Sequence, residues 1–451
     1  MDIRITKPIT GGTVRAIASK SEAHRILICA ALAENVSFIH CTETSEDIDA
    51  TAACLSALGA RIERIQTGFH VTPILTPSSP ATLNCGESGS TQRFLLPVVG
   101  ALGVSSSFQM AGRLPSRPLT GLYEEMVAHG CKLSAEGINP LTLEGKLTSG
   151  IYTIPGDISS QFISGLLLAL PLLKGDSEIR VIGTLESRPY VDITLDTLRI
   201  FGINIEERET QSADTGEENS FFIQGGQIYK SPKEVTVGSD WSNAALWLSA
   251  GAIIKTGITC TNLNLQSKQG DKRILDFLRQ FGADVTLSSG TTDCKTNVSD
   301  GDFIVGLCEG SCEVSPATLR GIEIDASDTP DLVPILAAVA SVSKGKTTIR
   351  NAERLRIKES DRLSTVTETL TTLGADITET ADGLIIVGKE RLKGGEVSAH
   401  GDHRIAMTAA VISAACENDV IIHNAEAVNK SYPAFFDDFR DKLGGEWDEV
   451  Q

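Results

Sequence analysis

Aromatic residues are scarce: 14 Phe, 3 Trp and 5 Tyr make up only 5% of the 451-residue chain. So thin a supply argues against a protein that stacks bases on a series of rings. Cations are also in the minority, with 40 Lys and Arg against 58 Asp and Glu, a formal charge of −18. A polyanion-binding surface needs the reverse balance, so nucleic acid is not an expected partner. No apolar run approaches the ~20 residues of a membrane span; residues 163–173 and 244–254 are the greasiest stretches. The opening Met1-Asp-Ile-Arg-Ile-Thr has no basic segment followed by an apolar one, so no secretion signal is expected. Ten cysteines (29, 41, 54, 85, 131, 260, 294, 308, 312 and 416) lack paired metal-ligand spacing. Cys308 and Cys312 come nearest, without a second pair or clustered histidines. The expectation is a cytoplasmic protein with reduced, mostly buried thiols, no metal and no cofactor.

What is present is a globular composition. Hydrophobic residues reach 41%, charged residues 22%, and mean hydropathy is +0.02. A chain of this length divides into two or three domains. The organising signal is repetition. A polar turn rich in Ser, Asp or Gly leads into an apolar helix, then a break, then a strand. This phrase begins at Ser19, Ser88, Ser159, Ser239, Ser327 and Gly401, at intervals of 69, 71, 80, 88 and 74 residues. Amphipathic helices are predicted between them over 47–58, 119–129, 191–201, 272–281 and 362–373. Each ends in a glycine phrase, such as Leu58-Gly-Ala or Phe281-Gly-Ala, as expected of a left-handed C-terminal cap. Short alternating strands follow. Six βαβαββ modules result, three to a domain, with a cleft expected between the two domains. The predicted division gives residues 1–13 with 235–451 to one domain and 14–234 to the other.

The turns before the helices carry unusual chemistry. They hold Lys20, Ser21 and Arg25; Ser88, Gly89, Ser90 and Arg93; Ser159, Ser160 and Gln161; Asp331; and Asp402, His403 and Arg404. Ser and Asp at such places are ordinary helix caps. Lys20, Arg25 and Arg404 are not, because a cation near a helix N-terminus opposes the macrodipole. A shared anion would reconcile them with the free N–H groups. Taken alone, the charged stretch from Arg354 to Arg362 reads as a solvated loop. Composition and spacing thus reach a phosphate- or carboxylate-binding small-molecule site, without naming a reaction.

Nine phrases go further. They are Ser19-Lys-Ser-Glu-Ala-His-Arg25, Glu87-Ser-Gly-Ser-Thr-Gln-Arg93, Ser116-Arg-Pro118, Gly156-Asp-Ile-Ser-Ser-Gln161, Ser187-Arg-Pro-Tyr190, Asp328-Thr-Pro-Asp331, Lys358-Glu-Ser-Asp-Arg362, Asp402-His-Arg404 and Lys430-Ser-Tyr-Pro433. In this order the chain resembles the enolpyruvyl transferase family, and within it the 3-phosphoshikimate 1-carboxyvinyltransferases (EPSP synthases). The resemblance implies an α/β fold of two similar domains, each of three βαβαββ repeats in an inverse α/β barrel, with the active site in the interdomain cleft. It implies transfer of the enolpyruvyl group of phosphoenolpyruvate to the 5-hydroxyl of shikimate 3-phosphate, through a tetrahedral intermediate, by a monomer acting on small molecules.

By the same resemblance, Asp331, Glu359 and Lys20 are the catalytic candidates. Ser21, Arg25, Ser159, Ser160, Gln161, Ser187, Asp331 and Lys358 would hold shikimate 3-phosphate, with Tyr190 nearby. Lys20, Gly89, Arg117, Gln161, Arg362, Arg404 and Lys430 would hold phosphoenolpyruvate, with seven cations facing two anions. Gly89 is the small residue beside which glyphosate fits in the family. Glu87 departs from the asparagine of many members; it would repel phosphoenolpyruvate or pair with a cation such as Arg93. The sibling UDP-N-acetylglucosamine enolpyruvyl transferases usually have Lys-Asn where Lys20-Ser21 stands. They also carry a reactive Cys or Asp that the stretch from Gly112 to Pro118 lacks. A non-catalytic repeat scaffold is the alternative from another class.

Overall fold

The computed structural model describes residues 1–212, 216–290 and 309–450. Helices that are apolar on every side must be internal, and six of them are: Lys20–Leu32, Gly89–Leu102, Ser160–Ala169, Trp241–Ile253, Val333–Ser341 and His403–Ile412. Every residue of the last two is buried. Around them lie six separate four-stranded sheets, all in one order. Ala81–Gly86, for example, runs parallel to Ser106–Met110, which pairs antiparallel with Leu141–Gly145, and that with Cys131–Leu133. The parallel pair is joined through a buried helix, and a second, amphipathic helix precedes the hairpin, giving β-α-β-α-β-β. The strands alternate buried and exposed positions, so each sheet is covered on its helix face and wet on the other. No helix of the described residues is long and apolar enough to cross a membrane.

The second helices run over Glu46–Ala57, Leu122–Ala128, Arg188–Ile200, Ile274–Phe281 and Arg362–Thr372, within three residues of the predicted limits at every end. The glycines beyond them, Gly59, Gly130, Gly202, Gly282 and Gly374, all have positive φ, from +73° to +111°. A side chain there would be strained, which is why this position is glycine in each repeat.

The chain forms two compact units, residues 1–19 with 238–290 and 309–450, and Lys20–Val237. It crosses between Ser19 and Lys20 and returns between Val237 and Gly238, a few residues beyond the predicted boundaries. The reason is strand pairing. Gly12–Arg15 still runs parallel to Ile258–Asn264 in the first unit, and Glu234–Thr236 still runs parallel to Ser37–His40 in the second. The repeats are therefore not all contiguous. The sixth takes its inner strand from the other end of the sequence: Ile3–Lys7 lies antiparallel between Val420–His423 and Glu446–Glu449.

Two of the few aromatic clusters serve the site-bearing turns. Trp247 stacks on Phe435 at 4.5 Å and donates its Nε1–H to the Tyr432 hydroxyl at 3.2 Å, fixing the turn that carries Lys430. In the other unit Arg25 lies over the Phe94 ring, 4.7 Å from its centroid.

Candidate active site

The Lys20–Val237 unit gathers its candidate residues at the starts of its buried helices. Ser88 and Ser159 are caps as composition suggested, accepting from Thr91 N at 3.3 Å and Gln161 N at 3.3 Å. Arg25, 2% exposed, donates to Thr194 Oγ1 at 2.7 Å, the Ser21 carbonyl at 2.6 Å, the Tyr190 carbonyl at 3.0 Å and Ser164 Oγ at 3.4 Å. All four acceptors are neutral. Burial lowers its pKa to about 10, so the guanidinium stays charged at neutral pH and an anion nearby gains from a cation that, among the described residues, no hydrogen-bonded carboxylate offsets. Lys20 differs: its Nζ meets Asp47 Oδ2 at 2.7 Å, in the first turn of Glu46–Ala57. The sequence reading missed Asp47, which answers part of the macrodipole argument for Lys20.

Gln161 bridges two helix starts. Its Oε1 accepts from Arg93 Nη1 at 2.9 Å and its Nε2 donates to Ser90 Oγ at 2.9 Å. Gly89 explains itself by what surrounds it. A Cβ there would lie 2.8 Å from Arg117 Nη1 and 2.8 Å from Arg93 Nη1. Two guanidinium groups thus converge on a bare Cα at a helix start, an arrangement that collects an anion. Arg93, placed by the sequence in the same turn but not among the expected phosphoenolpyruvate ligands, belongs with this group. The Glu87 carboxylate lies against Gly112, where a Cβ would sit 2.4 Å from Oε2, so positive-φ Gly112 is what gives this acid room. On the ligand assignment that the resemblance implies, Gly89→Ala is expected to push both guanidinium groups aside and raise the KM for phosphoenolpyruvate about tenfold or more, the loss of one charge-assisted hydrogen bond. An unchanged KM in steady-state kinetics would count against the placement.

The other unit assembles acids and bases together. Arg362, 1% exposed, is its hub. Nε donates to Asp402 Oδ2 at 2.7 Å, Nη1 to Asp331 Oδ1 at 2.7 Å, and Nη2 to Glu359 Oε2 at 2.7 Å and Asp402 Oδ1 at 3.2 Å. Four of a guanidinium's five N–H groups are thereby used on three carboxylates. Lys358 Nζ stands 3.6 Å from Asp331 Oδ1 and Arg404 Nη2 3.3 Å from Oδ2. Burial alone would raise Asp331, but Arg404, Lys358 and Arg362 hold it well below the carboxylate range. Lys358 is lowered, chiefly by burial. Lys430 Nζ donates to the Gly401 carbonyl at 2.5 Å, and Arg354 Nη2 to the Ser327 carbonyl at 2.8 Å. The structure therefore brings Asp331, Glu359, Lys358, Arg362 and Arg404 into one network, in which the three cations already meet carboxylates of this chain.

The loop bearing Lys358 and Glu359 is not the solvated stretch its composition suggests. Arg356 Nη1 donates to Glu379 Oε1 at 2.6 Å and Asp361 Oδ2 at 3.2 Å, and Asp361 caps the Arg362–Thr372 helix through Ser364 N at 3.3 Å. Eight cysteines, at 29, 41, 54, 85, 131, 260, 312 and 416, are free and buried; Cys294 and Cys308 lie outside the described residues. Among the described residues no group of three His, Cys, Asp or Glu is placed to hold a metal ion.

Comparison with known proteins gives the lineage. The family profile of EPSP synthase (3-phosphoshikimate 1-carboxyvinyltransferase) matches residues 3–439. The chain belongs to the EPSP synthase family. A 3-phosphoshikimate 1-carboxyvinyltransferase of Clostridium kluyveri is 44% identical over 441 residues, covering 97% of this chain and 96% of the relative. One from Clostridium acetobutylicum is 42% identical over 453 residues, covering 98% and 97%. Among solved structures, an EPSP synthase from Acinetobacter baumannii superimposes with a TM-score of 0.78 at 24% identity, covering 99% of this chain and 100% of that one. This last likeness concerns the fold, and it places the six-repeat architecture described above among the EPSP synthases.

Proposed function

We propose that this EPSP synthase family member transfers the enolpyruvyl group of phosphoenolpyruvate to the 5-hydroxyl of shikimate 3-phosphate, releasing phosphate, on the shikimate pathway to chorismate and the aromatic amino acids. The observation that carries the reading is the pair of carboxylates, Asp331 and Glu359, each 2.7 Å from one buried guanidinium and set among further cations. The reaction needs two proton relays and no change of oxidation state overall. The hydroxyl gives its proton to Asp331 as its oxygen bonds to C2 of phosphoenolpyruvate, and C3 gains a proton from Glu359. The tetrahedral intermediate then loses phosphate from C2, which leaves with the proton that Asp331 had taken, while C3 returns a proton to Glu359 and the double bond re-forms. Two carboxyl groups in different surroundings suit opposite roles. Lys20, held by Asp47, shares in the proton transfers.

Shikimate 3-phosphate takes Ser21, Arg25, Ser159, Ser160, Gln161 and Ser187, with Asp331 and Lys358. Phosphoenolpyruvate takes Lys20, Gly89, Arg117 and Gln161, with Arg362, Arg404 and Lys430. Substrate binding also changes the base. Asp331 is held low by three cations in the free protein, and a carboxylate held low is a weak base. Phosphate and carboxylate groups arriving at Arg404 and Lys358 draw off that attraction and raise Asp331 toward the range in which it accepts a proton. The chain acts as a cytoplasmic monomer; the eight free thiols among the described residues accord with a reducing compartment, and light scattering checks the monomer.

The test is phosphate release from phosphoenolpyruvate with shikimate 3-phosphate, and separately with UDP-N-acetylglucosamine. Release with the first alone is expected, with glyphosate competing against phosphoenolpyruvate. Release with the second alone moves the assignment to the sibling enzymes, and silence with both from folded protein refutes the reading.

A further inference from the structure

Ser242 and Asp271 lie outside all nine family phrases of the sequence, yet they meet the site. Ser242 is the second residue of the Trp241–Ile253 helix, and Asp271 sits in the 3₁₀ turn Gly270–Arg273, 2% exposed. The Ser242 hydroxyl donates to Asp271 Oδ2 in a short hydrogen bond, and the same oxygen accepts from Arg404 Nη2 at 3.0 Å. A serine hydroxyl has one proton. With that proton committed to the carboxylate, only lone pairs are left to face the guanidinium. The direction of the relay is thereby fixed: Asp271 holds Ser242, and Ser242 holds Arg404.

On its other side Arg404 is held by Asp331, whose backbone carbonyl accepts from Nη1 at 3.1 Å and whose Oδ2 lies 3.3 Å from Nη2. An arginine beside a carboxylate tends toward the bidentate fork, with both Nη groups on both oxygens. Here the Ser242 oxygen takes one of the two Nη2 hydrogens and the Asp331 carbonyl takes Nη1, so the fork on the Asp331 carboxylate is not formed. The seat is itself braced. Gln269, two residues before Asp271, accepts from Trp241 N at 3.0 Å and donates to the Ser239 carbonyl at 2.7 Å, and Asp240 caps the Ser242 helix through Asn243 N at 2.8 Å.

Asp271 is a poor choice for stability. Burial first, then Asp331, raise it to about 6, against the opposing pull of Arg404 and the Ser242 hydrogen bond. A carboxylate whose folded value is raised works against the fold wherever it is ionised. A side chain retained at such a cost belongs with functional groups more often than with packing ones.

We infer that Ser242 and Asp271 are positioning residues that hold Arg404 off the bidentate fork with Asp331 and aim it at the phosphoenolpyruvate anion. This rests on the reading that Arg404 binds phosphoenolpyruvate and Asp331 is the base. Without the seat, Arg404 closes on Asp331, so the anion loses a ligand and the base is held lower still.

The experiment compares wild-type protein with Ser242→Ala and Asp271→Asn, measuring kcat, the KM for each substrate and the thermal midpoint at pH 7. In each variant the KM for phosphoenolpyruvate is expected to rise about tenfold and kcat to fall, while the KM for shikimate 3-phosphate stays within about twofold. The thermal midpoint of Asp271→Asn is expected to equal or exceed that of wild type, which a merely structural role would lower. Unchanged KM values for phosphoenolpyruvate overturn the inference, as do both KM values shifting together with a lowered midpoint. A wild-type protein silent with this substrate pair overturns the functional reading on which the inference stands.

Discussion

Arg362→Met is expected to destabilise the protein by about 3–5 kcal/mol, the range for breaking a buried ion pair from one side. Methionine fills much of the volume but leaves Asp331, Glu359 and Asp402 facing one another, the last of them 0% exposed. Although burial lowers it, Asp402, Glu359 and Asp331 together hold the Arg362 guanidinium above its ordinary value. The effect carries a pH signature. Asp402, despite burial, is held below the ordinary carboxylate value by Arg362 and His403, and Asp331 is held lower still. Groups depressed in this way lend stability above their unfolded pKa, about 4, and lose it as pH falls below. In the variant burial raises Asp402, which has lost the cation that chiefly held it down, so the deficit should shrink as pH drops from 7 toward 4. Urea midpoints across that range measure this. A deficit under about 1 kcal/mol, or one that ignores pH, would show that Arg362 is not the hub described.

The second large effect is kinetic. Asp331→Asn should lower kcat by about 10²–10⁴, the usual contribution of a positioned general base. The amide keeps the shape and can still accept from Arg362 Nη1, but it cannot take the hydroxyl proton. Stopped or continuous phosphate assays with both substrates saturating check it, alongside a urea midpoint to confirm folding. A variant keeping more than about a tenth of wild-type kcat would remove Asp331 from the proton path. Glu359→Gln leaves Arg362 a neutral acceptor and should slow exchange of solvent hydrogen into C3, which mass spectrometry of the product reads separately.

The repeats were legible because each announces itself locally. An all-apolar helix, a glycine beyond the next helix and a short alternating strand need no knowledge of the rest of the chain, and the positive φ of Gly59 through Gly374 follows from them. Lys442-Leu-Gly444 repeats the phrase a sixth time, with Gly444 at φ +72°, and could have been found the same way. The pairing of Ile3–Lys7 with Val420–His423 had no local signature, since register between segments some 420 residues apart is set only by packing. The site divides along the same line. Cations stood out because they sat where a helix start disfavours them. Two of the acids beside them did not: Asp47 looks like an ordinary acidic first turn, and Asp271 like one acid in a charged turn. The seven cations expected to face two anions are thus partly met by acids of the chain itself, and Arg362 by three of them.

The placement of Ile3–Lys7 also bears on the order in which the protein is born. As the chain emerges from the ribosome, every described residue of the Lys20–Val237 unit is out once residue 237 is, and domains generally fold as they appear. The strand at residues 3–7 must meanwhile wait, both its edges unpaired, until residues 420–423 and 446–449 arrive to flank it. The half that carries Arg25 and Gly89 can therefore mature during translation, whereas the half that carries Asp331 and Glu359 is completed only at the end of synthesis.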